Sequence, residues 1–197
     1  MIRQNEKGQP YVLGSAISEL HLKYEQQNPG ILKIKKIVSS LADKIHEYII
    51  LAELRDSRLI PLVEIDSDQE LIVTRPYAEP QQLHTMASAK VLMAYLSETQ
   101  QRMIIRSTGL KYYGSASITD EEVLIQQLTE IRKKKCAVIK NESSDGVCAI
   151  AVPVADRTGA FTRALGTHLP LVRASQENEK LILSKLNVAA AAIHDCG

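Results

Sequence analysis

Apolar residues in this chain repeat with two different periods, and the order of those periods constrains the fold more than any single motif. Ile34, Ile37, Val38, Leu41 and Ile45 recur at helical spacing along a face opposed by Lys33, Lys35, Lys36, Asp43 and Lys44. A long amphipathic helix is expected there. A shorter one precedes it from Ala16 to Tyr24, where Ile17, Leu20 and Tyr24 keep the same spacing, with Pro29 and Gly30 as the break between them. From Tyr48 to Pro76 the runs YIILAEL, RLIPLVEI and ELIVTR are short, rich in β-branched residues and separated by polar turns, which predicts three strands. Pro61 has no N–H to give to a ladder, so the middle strand must lie at an edge or bulge there.

Helical spacing returns from about Thr85 to Tyr95 and from Glu98 to Arg106. Thr119 and Glu122 form a T-x-x-E capping box ahead of Val123, Leu124, Leu128 and Ile131, the best-marked helix start in the chain. Strands are expected at Cys136 to Asn141, Val147 to Val154 and Ala160 to Thr167, and a last helix from Gln176 to His194 with Ser175 as its cap. This order lacks the strict βαβ alternation of a parallel sheet. It predicts an α+β fold, an antiparallel sheet with helices packed on its faces.

Composition bounds the function. The 197 residues suffice for one domain with an N-terminal extension, and 45% hydrophobic with 24% charged residues is the profile of a chain that folds. A net charge of +1 provides no whole-domain positive field for a nucleic-acid backbone. Three cysteines without a C-x-x-C pair argue against a secreted disulfide framework, and the start MIRQNEKGQP lacks a signal-peptide pattern. Apolar runs such as AVPVA are far shorter than the roughly 20 residues that span a bilayer. A cytoplasmic protein without a membrane anchor is expected.

Motifs for enzymes are missing. There is no G-x-G-x-x-G, no G-x-x-x-x-G-K-[ST], no H-E-x-x-H, no G-x-S-x-G and no S-x-x-K, so neither an enzyme nor a cofactor is expected. His21, His46, His84, His168 and His194 are too widely separated to announce a metal site. The basic run Arg132 to Lys135 could hold a phosphate, but cations also favour the C-terminal end of a helix, and this run closes one. Cys148 sits in the apolar run VCAIAVPV, where a buried, inert thiol is commoner than a reactive one. Tyr112 and Tyr113 could close a pocket as a flap, although loop tyrosines more often pack locally.

The segment LHTMASAKVLMAY (Leu83 to Tyr95) resembles the loop and helix of the IclR family of bacterial transcription regulators. Ser117 to Ile131 and CAVIKNESSDGVCAIAVPVADRTGAFTRALG resemble two further segments of that family, with Glu142, Gly146, Ile150, Ala151, Pro153, Val154, Gly159 and Ala164 in register. GQPYVLG near the start is similar to the last strand of the family's winged DNA-binding domain and the lead into its linker helix.

The resemblance implies a GAF-like or PAS-like fold, with a wing remnant and linker helix over residues 1–28 and an effector-binding domain over 29–197. It implies a homodimer or tetramer, a small organic acid as effector, and DNA as a partner only through a helix-turn-helix that these residues do not contain. The alternative is a stand-alone ligand-binding protein without DNA-binding activity. Position by position, the family's ligand contacts fall on Ala87, Ser88 and Ala89 at a helix start, and on Ile139, Cys148, Gly166 and His168. Relatives that bind small oxoacids carry an acid at the place of Ile139, hydroxyls at Gly166 and His168, and a glycine at Ala89. A different effector is therefore expected here.

Overall fold

The computed structural model describes residues 2–4, 11–73 and 80–196. Two short strands, β1 (Ile2–Gln4) and β2 (Tyr11–Leu13), pair antiparallel, and two helices follow, α1 (Ala16–Gln27) and α2 (Pro29–Ile45). Pro29 opens α2, a position where its missing N–H costs nothing. Next come β3 (Tyr48–Arg55), β4 (Arg58–Ile65), α3 (Ala87–Ala94), α4 (Glu98–Thr108) and α5 (Glu121–Lys134). The chain closes with β5 (Ala137–Lys140), β6 (Val147–Ala155), β7 (Phe161–Pro170) and α6 (Gln176–His194).

Strands β3 to β7 form one sheet in the order β4-β3-β7-β6-β5, every neighbouring pair antiparallel. The α+β architecture expected from the order of periods is the one observed. Side chains alternate across the sheet, so each strand contributes to two cores. On one face Ile49, Leu51, Cys148, Ile150, Val152, Leu165 and Leu169 pack against Val38 and Leu41 of α2 and Leu186 and Ile193 of α6. On the other, Ala52, Ala137, Ile139, Ala151 and Ala164 pack against α3 and against Leu124 and Leu128 of α5. This second face is paved with small side chains. Helix α3 therefore lies close to the sheet, and all eight of its residues are buried.

Two sequence expectations need correction. The third strand does not form: residues 66–73 run irregularly beyond the edge strand, and the rest of the expected strand lies outside the described residues. Side chains hold this segment in place of a ladder. The Ser67 hydroxyl donates to the His46 carbonyl at 2.8 Å, and Arg173 Nη2 donates to the Leu71 carbonyl at 2.9 Å. The capping box at Thr119 does not form either. Asp120 caps α5, accepting from the Val123 N–H at 3.0 Å, while Glu122 is drawn to the Arg102 guanidinium at 2.6 Å. A capping box does exist at Ser97 and Gln100, an S-x-x-Q pattern legible in the sequence. The helix expected from Thr85 starts at Ala87, after a 3-10 turn over Pro80–Thr85. Pro61 lies on the edge strand β4, opposite Ala52, where the β3/β4 register shifts.

Candidate functional site

A cavity of about 270 Å³ opens between the α3 face of the sheet, strand β4 and the start of α3. Ile50, Leu59, Pro61, Val73, Met86, Val147 and Ala149 supply apolar walls, so contacts with hydrocarbon dominate its lining. Its polar groups gather at two ends. At the inner end are Thr85, Ala87 and Ser88 at the start of α3; at the outer end are Tyr48 of β3, Glu64 of β4 and His168 of β7.

The inner end is donor-rich. Met86 is the N-cap of α3 and makes no side-chain cap, so the first-turn N–H groups have no capping acceptor. The first backbone bond of the helix runs from the Lys90 N–H to the Met86 carbonyl at 2.9 Å. Gly166 explains how the helix start comes so near the sheet. A Cβ there would sit 2.6 Å from Ser88 Oγ and 3.0 Å from the Ile150 carbonyl oxygen. Thr167 borders the cavity, but alternation along β7 turns its side chain, with those of Leu165 and Leu169, to the opposite face of the sheet, where it lies opposite Ile49 and Ile150.

At the outer end, strand register brings Tyr48 opposite His168, and their rings stack 4.2 Å apart with planes 18° from parallel. The Tyr48 hydroxyl donates to Glu64 Oε1 across β3 and β4. No lysine or arginine lines the cavity among the described residues.

Behind the site lies a buried ion pair. Lys90 is wholly buried and donates to Glu142 and, at 2.5 Å, to Gln127 Oε1; Gln127 in turn donates to Glu142 at 3.2 Å. Burial lowers the Lys90 pKa, and Glu142 pulls it back up. The pair ties α3 and α5 to the β5–β6 turn, whose Ser143 lines the cavity. His84, also buried, binds the Lys111 carbonyl at 2.8 Å, and its pKa is lowered chiefly by desolvation.

Of the residues singled out from the sequence, Ala87, Ser88 and His168 meet at this cavity. Ala89 is fully buried in α3, Ile139 is covered on the same sheet face, and Gly166 lies beneath Ser88. Cys148 points to the opposite core, and desolvation pushes its thiol up to about 11. None of these four lines the cavity. The sequence reading missed Tyr48, Glu64, Ser143 and Thr167. Tyr48 was accessible, because Tyr48, Ile50 and Ala52 share one face by alternation; Glu64 reads as an ordinary charge on an edge strand.

The described residues contain no group of three or more His, Cys, Asp or Glu placed to hold a metal, and no helix long and apolar enough to cross a membrane. Comparison with known proteins agrees with the architecture. TtgV, an HTH-type transcriptional regulator of Pseudomonas putida, is 30% identical over 185 residues, covering 91% of this chain and 68% of its own length. KdgR, an HTH-type transcriptional regulator of Dickeya chrysanthemi, is 27% identical over 98% of this chain; the chain spans 64% of that relative's length. The crystal structure of an IclR homolog from Microbacterium hydrocarbonoxydans, complexed with 4-hydroxybenzoate, superposes with a TM-score of 0.80 at 20% identity, covering 99% of this chain and 78% of that one. Residues 26–195 match the family described as bacterial transcriptional regulator IclR, C-terminal, and the chain belongs to that family of regulators, which are not enzymes.

Proposed function

We propose that this chain is the effector-binding part of a DNA-binding regulator, in which a small organic acid seated in the cavity controls DNA binding through a dimer. The observation that carries the reading is the cavity at the start of α3. A helix N-terminus whose N–H groups lack a side-chain cap is a seat for a carboxylate. Ala87 and Ser88 hold the anion, and His168 lies along the bound molecule. The apolar walls favour an acid with some hydrocarbon over a bare two-carbon oxoacid. The Microbacterium homolog bound to 4-hydroxybenzoate supports an acid of that kind.

Residues 29–197 form the effector domain and residues 1–28 the wing remnant and linker on this reading. Leu20 and Leu22 of α1 are more than half exposed, which fits a helix that meets a second copy. Ligand binding then shifts the dimer between DNA-competent and incompetent states.

Calorimetric titration with small organic acids tests the site. His168→Ala is expected to lower affinity for the acid, because the His168 ring, stacked on Tyr48, forms part of the cavity wall. Unchanged affinity in His168→Ala removes His168 from the site. The absence of saturable binding by any acid removes the reading itself.

A further inference from the structure

A net charge of +1 conceals an uneven distribution along the sheet. Antiparallel pairing gathers the end of β3, the starts of β4 and β7 and the end of β6 on one side, since Arg55 pairs with Arg58, Glu53 with Arg163 and Ala155 with Phe161. The close of α5 lies there too: Arg132 stands 5.7 Å over the Tyr95 ring, which packs on Phe161 at 4.3 Å. Arg58, Lys134, Lys135 and Arg157 are exposed at this end and form no ion pair among the described residues. Most acids nearby are engaged. Glu53 pairs with Arg55, Glu130 pairs with Lys133, and Asp156 accepts from the Thr158 and Ala160 N–H groups inside its own turn. Asp56 and Asp195 do not balance the cations that remain.

The cavity occupies the other end of the sheet. Tyr48, in its lining, and Arg55 are the two ends of β3, about 24 Å apart. Acids gather on the cavity side: Glu64 in the lining, Asp66, Asp68 and Glu70 after β4, and Glu177 and Glu179 in the first turn of α6. The dipole of α5 accounts for the lysines at its C-terminus. It does not account for Arg58 and Arg157, which stand on the β3–β4 and β6–β7 turns. Separate elements that present one sign of charge to one side make a directed field.

The N-terminal part of the chain joins at this basic end. His194 Nδ1 meets the Ala155 carbonyl at 3.3 Å, which sets the close of α6 beside the end of β6. Gly30 packs so near the Cys196 carbonyl that a Cβ would sit 2.7 Å from its oxygen, so α2 starts here and the chain before Pro29 departs from the basic side. On the reading above, the part of the regulator that reads DNA precedes α2, and this side faces the duplex.

We propose that the basic end, through Arg58, Lys134, Lys135 and Arg157, is a contact surface for the phosphate backbone of duplex DNA. It rests on the DNA-binding reading above and adds affinity without sequence preference, as phosphate contacts do. The acidic end of a second copy is the competing occupant, but such a head-to-tail contact joins unlike surfaces and leads to open chains of molecules.

The test is fluorescence anisotropy of the whole chain with a mixed-sequence duplex of about 20 base pairs, titrated at several low salt concentrations. Wild type is expected to bind weakly, equally well to a duplex of scrambled sequence, and with affinity that falls steeply with salt. Lys134→Gln with Arg157→Gln should lose at least fivefold in affinity and reduce the slope of log affinity against log salt by about two. Lys44→Gln with Lys180→Gln makes the same change in net charge on exposed residues of α2 and α6 and should stay within twofold of wild type. Equal losses in the two double variants overturn the proposal, because net charge alone then governs binding. Salt-sensitive self-association that disappears in Lys134→Gln with Arg157→Gln without DNA assigns the surface to a second copy and also overturns it. If wild type takes up no DNA but binds a small organic acid, the surface assignment falls and the effector reading stands. If DNA binding depends on Lys134 and Arg157 while no acid binds, the surface stands and the effector reading falls.

Discussion

At the scale of single residues, Lys90 is the least expected feature, a cation with no exposed surface inside an apolar helix. Such a charge is tolerated only when paired and hydrogen-bonded, and Glu142 and Gln127 provide this. Lys90→Met leaves the buried Glu142 carboxylate without its cation and is expected to cost about 3–5 kcal/mol, whereas Lys90→Met with Glu142→Leu costs less. Urea unfolding of the two variants checks the order. His84 makes a pH prediction. Its folded pKa is lowered by burial, so the folded state favours neutral imidazole; the stability His84 contributes is present above the unfolded value of about 6.5 and is lost as pH falls through the lowered folded one. The melting temperature should fall on acidification below about pH 6.5, and more gently in His84→Asn. Cys148, with its thiol pushed up to about 11, should resist alkylation in the native protein at pH 8 while the partly exposed Cys196 reacts, as peptide mass spectrometry can show.

At the scale of elements, the contrast among helix starts separates stability from function. Ser97, Asp120 and Ser175 cap α4, α5 and α6 with side-chain oxygens, while α3 begins at Met86 without one. Ser175→Ala removes the bond to the Asn178 N–H and is expected to cost about 1 kcal/mol, a drop of roughly 2–4 °C in melting temperature for a domain of this size, with ligand affinity unchanged. The opposite split is expected where α3 meets the sheet. Gly166→Ala sets a methyl group against Ser88 Oγ and the Ile150 carbonyl, so the helix start must shift and affinity for the acid must fall. Equal affinity in Gly166→Ala and wild type would show that the position of this helix start does not govern binding.

At the scale of the whole molecule, large apolar side chains remain exposed at separate places on the fold: Leu20 and Leu22 on α1, Val172 beyond β7, and Leu181 and Val188 on α6. Self-association covers such surface, so the mass in solution is expected to exceed the 21.9 kDa of one chain. Removing the residues before Pro29 deletes α1 and should weaken the association without unfolding the five-stranded sheet, whose two cores draw on none of the described side chains of α1. Sedimentation velocity of both proteins reads this out. A monomer at high micromolar concentration for the complete chain would exclude α1 as an association surface.

The succession of helical and strand periods determined that this chain builds an antiparallel sheet covered by helices, because each period buries only one kind of face. Ser175 was legible as a cap, and Pro61 as an edge or bulge residue, since their constraints are local. Competition between distant residues was not legible. Arg102 draws Glu122 away from the helix start, so Asp120 caps α5, and Ser67 and Asp68 pair with His46 where a third strand was expected to begin. Membership of the site was decided in the same way. Alternation places Cys148 and Ala149 on opposite faces of β6, but only packing determines that α6 covers one face and that the cavity opens on the other. Ile139 shares the cavity's face and is nonetheless sealed in the core of α3 and α5. A strand pattern states which side chains share a face; which of them a ligand can reach depends on what folds over that face, and the covering residues belong to helices outside the strand itself.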